Sequence, residues 1–177
     1  MRFIVCATTA LLLSACSSID LDPVAPPGFD LTGRWQINPE LSDMPPGPRA
    51  QSSIKTDRPI RSRRAARRAY GGAISFLVQD FPVVAASTLD IEQNRGSMGV
   101  DFDKGDYRDV SWGYRERGIW QIWAGWEEGV LVIVSEAKDM KARETITLEP
   151  GGQRMVVNLQ VEANLDLQLT RVFDRVD

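Results

Sequence analysis

Gly118-Ile119-Trp120-Gln121-Ile122-Trp123-Ala124-Gly125-Trp126-Glu127-Glu128-Gly129-Val130-Leu131-Val132-Ile133-Val134-Ser135-Glu136 is the stretch whose reading decides the fold. Gly118 to Gly125 sets Trp120 and Ile122 against Ile119 and Trp123, so it is apolar on both faces at a period of two. Gly129 to Glu136 is a near-continuous apolar run, as expected of a central strand buried on both sides. Between the two, Glu127-Glu128-Gly129 has the chemistry of a tight turn. Strands joined this closely, with no helix between them, pair antiparallel.

The same grammar extends outward in both directions. Leu89 and Ile91 alternate with Asp90 and Glu92, and Val100 and Phe102 with Asp101 and Asp103. Thr145 to Leu148, Met155 to Val161 and Leu165 to Leu169 alternate again, punctuated by Lys104-Gly105-Asp106, Pro150-Gly151-Gly152 and Ala163-Asn164. Short strands joined by turns make an antiparallel meander. A meander of this length hides its edges by closing into a barrel or by stacking as a sandwich. A barrel-like, partly open closure is the expectation.

Upstream, Leu31 to Asn38 is an apolar/polar alternation entered through Gly33 and reads as a first strand. Residues 39–59 follow as a proline-rich loop (Pro45, Pro46, Gly47, Pro48). Residues 60–81 change period: Ala66, Tyr70, Ala73 and Leu77 fall at helical spacing, Gly71-Gly72 interrupts them, and Pro82 ends the run. The predicted fold is therefore mainly β, a single domain over residues 30–177 with one basic helical segment after the first strand.

Histidine is absent, the formal net charge is −3 and the sequence pI is about 5.1. Without histidine, Ser-His-Asp and Cys-His chemistry and typical zinc sites are excluded. The two cysteines, Cys6 and Cys16, both lie near the N-terminus. Leu13-Ser14-Ala15-Cys16 closes the short apolar run Phe3 to Leu13 behind Arg2, which is the layout of a signal peptide with a small-residue cleavage site. These residues resemble the bacterial lipobox. The resemblance implies that residues 1–15 are removed, that Cys16 is triacylated as the first mature residue, and that Ser17 directs the protein to the outer membrane; the periplasmic side of that membrane is the expected address. Cys6 would leave with the signal peptide. Residues 16–29 then read as the lipidated cysteine and a flexible tether (Pro23, Pro26, Pro27, Gly28), able to reach roughly 40 Å.

A second resemblance is carried by Leu31-Thr32-Gly33-Arg34-Trp35-Gln36-Ile37-Asn38-Pro39 with Ser42-Asp43, by Gly125 to Val132, and by the closing Leu169-Thr170-Arg171-Val172-Phe173-Asp174-Arg175. These look like lipocalin-like domains of a group of bacterial exported proteins, in which a long loop separates the first strand from the meander. The resemblance implies a lipocalin-like β domain and transfers no catalytic residue.

Several constellations invite a functional reading. Trp112, Trp120, Trp123 and Trp126 crowd one hairpin region with Tyr107 and Tyr114 nearby, and Trp112, Trp123 and Trp126 could line an aromatic mouth for a ring, sugar or acyl chain. The alternative is plain strand burial, and alternation places Trp120 and Trp123 on opposite faces. Arg61, Arg63, Arg64, Arg67 and Arg68 form a cluster suited to an anionic lipid, lipopolysaccharide or an acidic envelope protein. The alternative is a solvated face paired with Asp101, Asp103 and Asp106. Nucleic acid is not an expected partner in this compartment. The aspartates Asp101, Asp103, Asp106 and Asp109 around Gly105 do not match the EF-hand spacing and read better as turn residues that cap backbone N–H groups. No catalytic residue, metal or cofactor is expected. The functional expectation is an anchored envelope lipoprotein that binds a small hydrophobic or glycan ligand, or an envelope partner through its basic segment. A scaffold without a small ligand is the alternative, and a carboxylate-based hydrolase is the weaker third. A carrier calls for an apolar-lined cavity, and a scaffold for a filled barrel.

Overall fold

The computed structural model describes residues 19–45, 77–103, 105–163 and 166–176. Its strands are β1 (Gly33–Ile37), β2 (Thr88–Gln93), β3 (Ser97–Phe102), β4 (Asp106–Ser111), β5 (Gly113–Arg117), β6 (Trp120–Glu127), β7 (Val130–Ala137), β8 (Met140–Leu148), β9 (Arg154–Glu162) and β10 (Leu167–Val176). They form one 10-stranded sheet in the order β4-β3-β2-β1-β10-β9-β8-β7-β6-β5. Every pairing is antiparallel. The first strand pairs with the last, Trp35 opposite Arg175, and the sheet curls into a nearly closed barrel. Its two free edges belong to β4 and β5, which are neighbours in the chain but not in the ladder. The partly open closure expected from the meander is what forms, and that seam is where it stays open.

The deciding hairpin folds as its residues dictate. Trp120, Ile122, Ala124 and Trp126 turn inward along β6, and Leu131, Ile133 and Ser135 turn inward along β7. The connecting Glu128 and Gly129 both take positive φ, 51° and 84°, the backbone of a two-residue turn whose twist matches the strands. β7 is buried on both faces, since Val132 and Val134 on its outer side are as inaccessible as Leu131 and Ile133. At about 1.5–3 kcal/mol for each large apolar side chain removed from water, this strand anchors the core. Trp35 of β1 is fully buried, donates its indole N–H to Leu31 O at 2.8 Å, and carries the Arg175 guanidinium 4.3 Å above its ring.

One end of the barrel is covered by the approach to β2. Residues 77–80 are helical, and the helix stops before Pro82 as its ring requires. A 3-10 turn, Pro82–Val84, follows, and Leu77, Phe81, Val83 and Val84 are buried beneath it. Buried Arg171 of β10 fastens this cover, donating Nη2 to Ala86 O at 2.8 Å and Nη1 to Asp43 O at 3.0 Å.

The other end receives the N-terminal arm. β5 pairs with β6 only as far as Gly113 opposite Ala124. The backbone of Trp126 is left for Asp22, which accepts its N–H at 2.7 Å and donates to its carbonyl at 3.0 Å. Gly125 makes this approach possible, because a Cβ there would stand 2.5 Å from Asp22 O and 2.9 Å from Leu21 Cβ. Ile19 and Leu21 are half-buried while Asp20 and Asp22 are exposed. The segment read as a flexible arm is thus laid against the barrel from residue 19 on. The chain between Cys16 and Asp22 spans at most about 20 Å, half the reach expected of a free arm.

Three strand assignments change. The last strand, read as ending at Leu169, runs to Val176, and β4 and β5 were not legible as strands. β4 turns only Arg108 and Val110 fully inward and β5 has no fully buried residue, so neither shows an apolar stripe. The arginines Arg61, Arg63, Arg64, Arg67 and Arg68, and Cys16, lie outside the described residues.

Candidate ligand groove at the open seam

The seam between β4 and β5 sorts the interior into two very unequal spaces. Within the core, a cavity of about 30 Å³ is bordered by Ile91, Met98, Val110, Ile133, Met155 and Val157, with Arg108 and Glu144. That is room for about one water molecule. Where the seam meets the covered end, a groove of about 550 Å³ opens between the cover (Gln79, Asp80, Phe81, Pro82), β4 (Asp106, Tyr107, Arg108) and the β5–β6 turn (Arg117, Gly118, Ile119, Trp120), with Ile122 and Ser135 deeper.

The groove's apolar wall is built by alternation. Trp120 faces inward at the start of β6 and meets Phe81 edge-on, with ring centroids 5.7 Å apart at 76°. Ile119, at the tip of the turn, is 70% exposed and overhangs the opening. The charged elements are two arginines and the carboxylates around them. Arg108 reaches from β4 across the interior to Glu144 of β8, its Nη1 lying 2.6 and 2.9 Å from the two carboxylate oxygens. Arg108 is 8% exposed and Glu144 3%. Because Arg108 borders both the groove and the core cavity, the ion pair stands between them. Burial in the cover pushes the Asp80 carboxyl above its ordinary range, against the opposing pull of a hydrogen bond with Trp120 and of the Arg117 and Arg108 charges.

Of the tryptophans singled out in the sequence, the structure brings Trp112 and Trp126 together and sets Trp123 apart. Trp126 lies at the far end of β6 and packs edge-on against Trp112 (4.6 Å, 67°) and Phe29 (5.9 Å, 84°). That cluster plugs the end of the barrel remote from the groove. Trp123 points outward, 5.1 Å from the ring of Tyr114. The groove instead takes Trp120, which its period-two partner Ile122 marks as inward-facing. Asp103 does the capping expected of it, accepting from Ser87 N at 2.9 Å and Thr88 N at 2.7 Å. Among the described residues no cluster of three His, Cys, Asp or Glu side chains could hold a metal ion.

Ten antiparallel strands in one nearly closed ring define a lipocalin-like β-barrel. Solved structures match that fold. The fluorescent protein UnaG superposes with a TM-score of 0.51 at 14% identity, covering 82% of this chain and 97% of its own. Fatty-acid-binding protein 1 of Echinococcus granulosus superposes with a TM-score of 0.50 at 11% identity, covering 83% of this chain and 98% of its own. No family model matches the chain, and no curated protein matches it in sequence.

Proposed function

We propose that this chain is a lipid-anchored envelope protein that binds a small amphipathic molecule in the seam groove rather than deep in the barrel. The groove carries the reading. Its volume of about 550 Å³ lies within the range of small-molecule sites, and it joins an aromatic and aliphatic wall to a polar rim. The fold likeness to a fatty-acid-binding protein supports a binding role in place of an enzymatic one. The lipobox residues, Leu13 to Cys16, support anchorage in the outer membrane through Cys16, with the domain facing the periplasm. The arginine cluster from Arg61 to Arg68 supports a contact with anionic lipid or lipopolysaccharide on that membrane.

The filled interior favours one competing reading, a scaffold with no small-molecule ligand. Native mass spectrometry of the chain from Ser17, incubated with an envelope extract, separates the two. Retention of a small molecule by the wild type, and its loss in Ile119→Asp, is the expected result. A spectrum with no added mass, or one indifferent to the substitution, would establish the scaffold. Anchorage has its own test: the mature N-terminal peptide should carry acyl chains on Cys16, and Cys16→Ala should release the protein from membranes.

A further inference from the structure

We infer that Glu144 is a built-in counter-ion that fixes the ligand class of the groove as uncharged amphipathic molecules, such as esters, alcohols and amides, and refuses free carboxylates. The inference rests on the groove reading above and specifies its chemistry.

Arginine stays protonated in any protein environment, so Arg108 brings a permanent positive charge into a largely apolar barrel. Such a charge, once out of water, needs an anion within hydrogen-bonding distance. The chain supplies that anion itself. Both oxygens of Glu144 lie on Nη1 of Arg108, and Glu144 is the more deeply buried of the two. The second cation of the groove, Arg117, stands in the field of the Asp80 carboxylate. Asp106 adds a third acidic group at the β4 wall. The surroundings therefore hold three carboxylates against two guanidinium groups. A free acid entering the groove finds the buried arginine, Arg108, already held by a carboxylate. It would lose its own hydration beside Asp80 and Glu144 without gaining the buried Arg108 guanidinium in exchange, and Arg117 offers only a solvent-exposed charge. An uncharged head group meets no such penalty, and the Ser135 hydroxyl in the groove wall can donate to it or accept from it.

The exchange of partners is the point that can be measured. Removing the Glu144 charge leaves Arg108 buried and in need of an anion, which an incoming carboxylate can then supply. The probes are 11-(dansylamino)undecanoic acid and its methyl ester, which differ only in the head group, titrated into the full mature-length chain and followed by dansyl fluorescence. The wild type should bind the ester more tightly than the acid by at least about tenfold, the equivalent of ~1.4 kcal/mol. Glu144→Gln should reverse the order by strengthening the acid and leaving the ester within about threefold. The double variant Arg108→Met/Glu144→Leu, with neither charge, should keep the wild-type preference for the ester.

A wild type that binds the acid as tightly as the ester overturns the inference, and needs no variant to do so. Equal weakening of both probes in Glu144→Gln also overturns it, since that is what a merely structural role produces. If neither probe binds the wild type, the groove reading fails. Acid binding gained by Glu144→Gln alone would still uphold the counter-ion assignment. Should Glu144→Gln not fold by circular dichroism, the wild-type comparison and the double variant decide.

Discussion

Arg115 of β5 spans the seam to Asp109 of β4, its Nη1 2.8 Å from the carboxylate and 2.9 Å from the Ser111 hydroxyl. Side chains thus bridge the one place among the described strands where consecutive strands share no ladder. Arg115→Gln should leave global stability nearly unchanged, because a solvent-facing pair contributes about 0.2–1 kcal/mol. Amide hydrogen exchange along β4 and β5 should nevertheless speed up, and raised salt should mimic the substitution in the wild type. Unchanged protection at 106–117 would show that the pair does not hold the seam.

Gly125 is the contact point of the N-terminal arm. Gly125→Val should drive Asp22 off Trp126, since the new side chain overlaps the Asp22 carbonyl. Overpacking of this kind costs about 1–3 kcal/mol, or less if the arm simply lifts away. Limited proteolysis should then cut within residues 19–30, a stretch that stays intact in the wild type.

The Arg108–Glu144 pair should be strongly non-additive. Arg108→Met or Glu144→Leu alone is expected to cost about 3–5 kcal/mol, because each leaves a buried charge without its partner. The double substitution should cost far less than the sum. Urea denaturation of the four proteins measures the coupling, and additivity would mean that the two groups are solvated independently.

Two carboxyls should give opposite slopes in acid. Asp174 is held below the ordinary carboxylate range by its hydrogen bonds from Arg154 (2.7 Å) and Asn38 (2.7 Å). Its contribution is present above the unfolded-state value and is lost as pH falls through the folded one. Asp80 is held above that range by burial, so it disfavours the folded state progressively as pH rises from the unfolded-state value to the folded one. Asp174→Asn should remove stability near neutrality and flatten the acid limb of a melting-temperature profile. Asp80→Asn should relieve the cost in mildly acidic to neutral solution and abolish a pH-dependent change in Trp120 fluorescence.

The parts of this fold that could be read from the chain are those whose burial is two-sided or strictly alternating. Val130 to Ser135 shows its position without any partner being known, and Trp120 and Trp123 divide between faces as the period of two demands. β4 and β5 escape that grammar because a seam strand needs few inward apolar residues: Asp106, Tyr107 and Asp109 are exposed, and β5 has no fully buried residue. The groove inherits the same invisibility, since those strands wall it. The Arg108–Glu144 contact joins residues 36 apart in sequence and belongs to no motif. The docked arm is legible only in Gly125, a glycine inside an otherwise bulky strand, because proline content describes stiffness and says nothing of a backbone partner waiting at Trp126.

The pairing of β1 with β10 has a consequence for how the ring is assembled. From β5 to β10 each strand finds its partner next along the chain, so that half can zip up through hairpins within microseconds of collapse. β1 must wait for contacts such as Trp35 with Arg175, across nearly the whole chain. Loop-closure entropy makes that long-range docking the slow event. Until it occurs, β10 presents an unpaired edge, and the time spent in that state sets the protein's exposure to aggregation while it is being made.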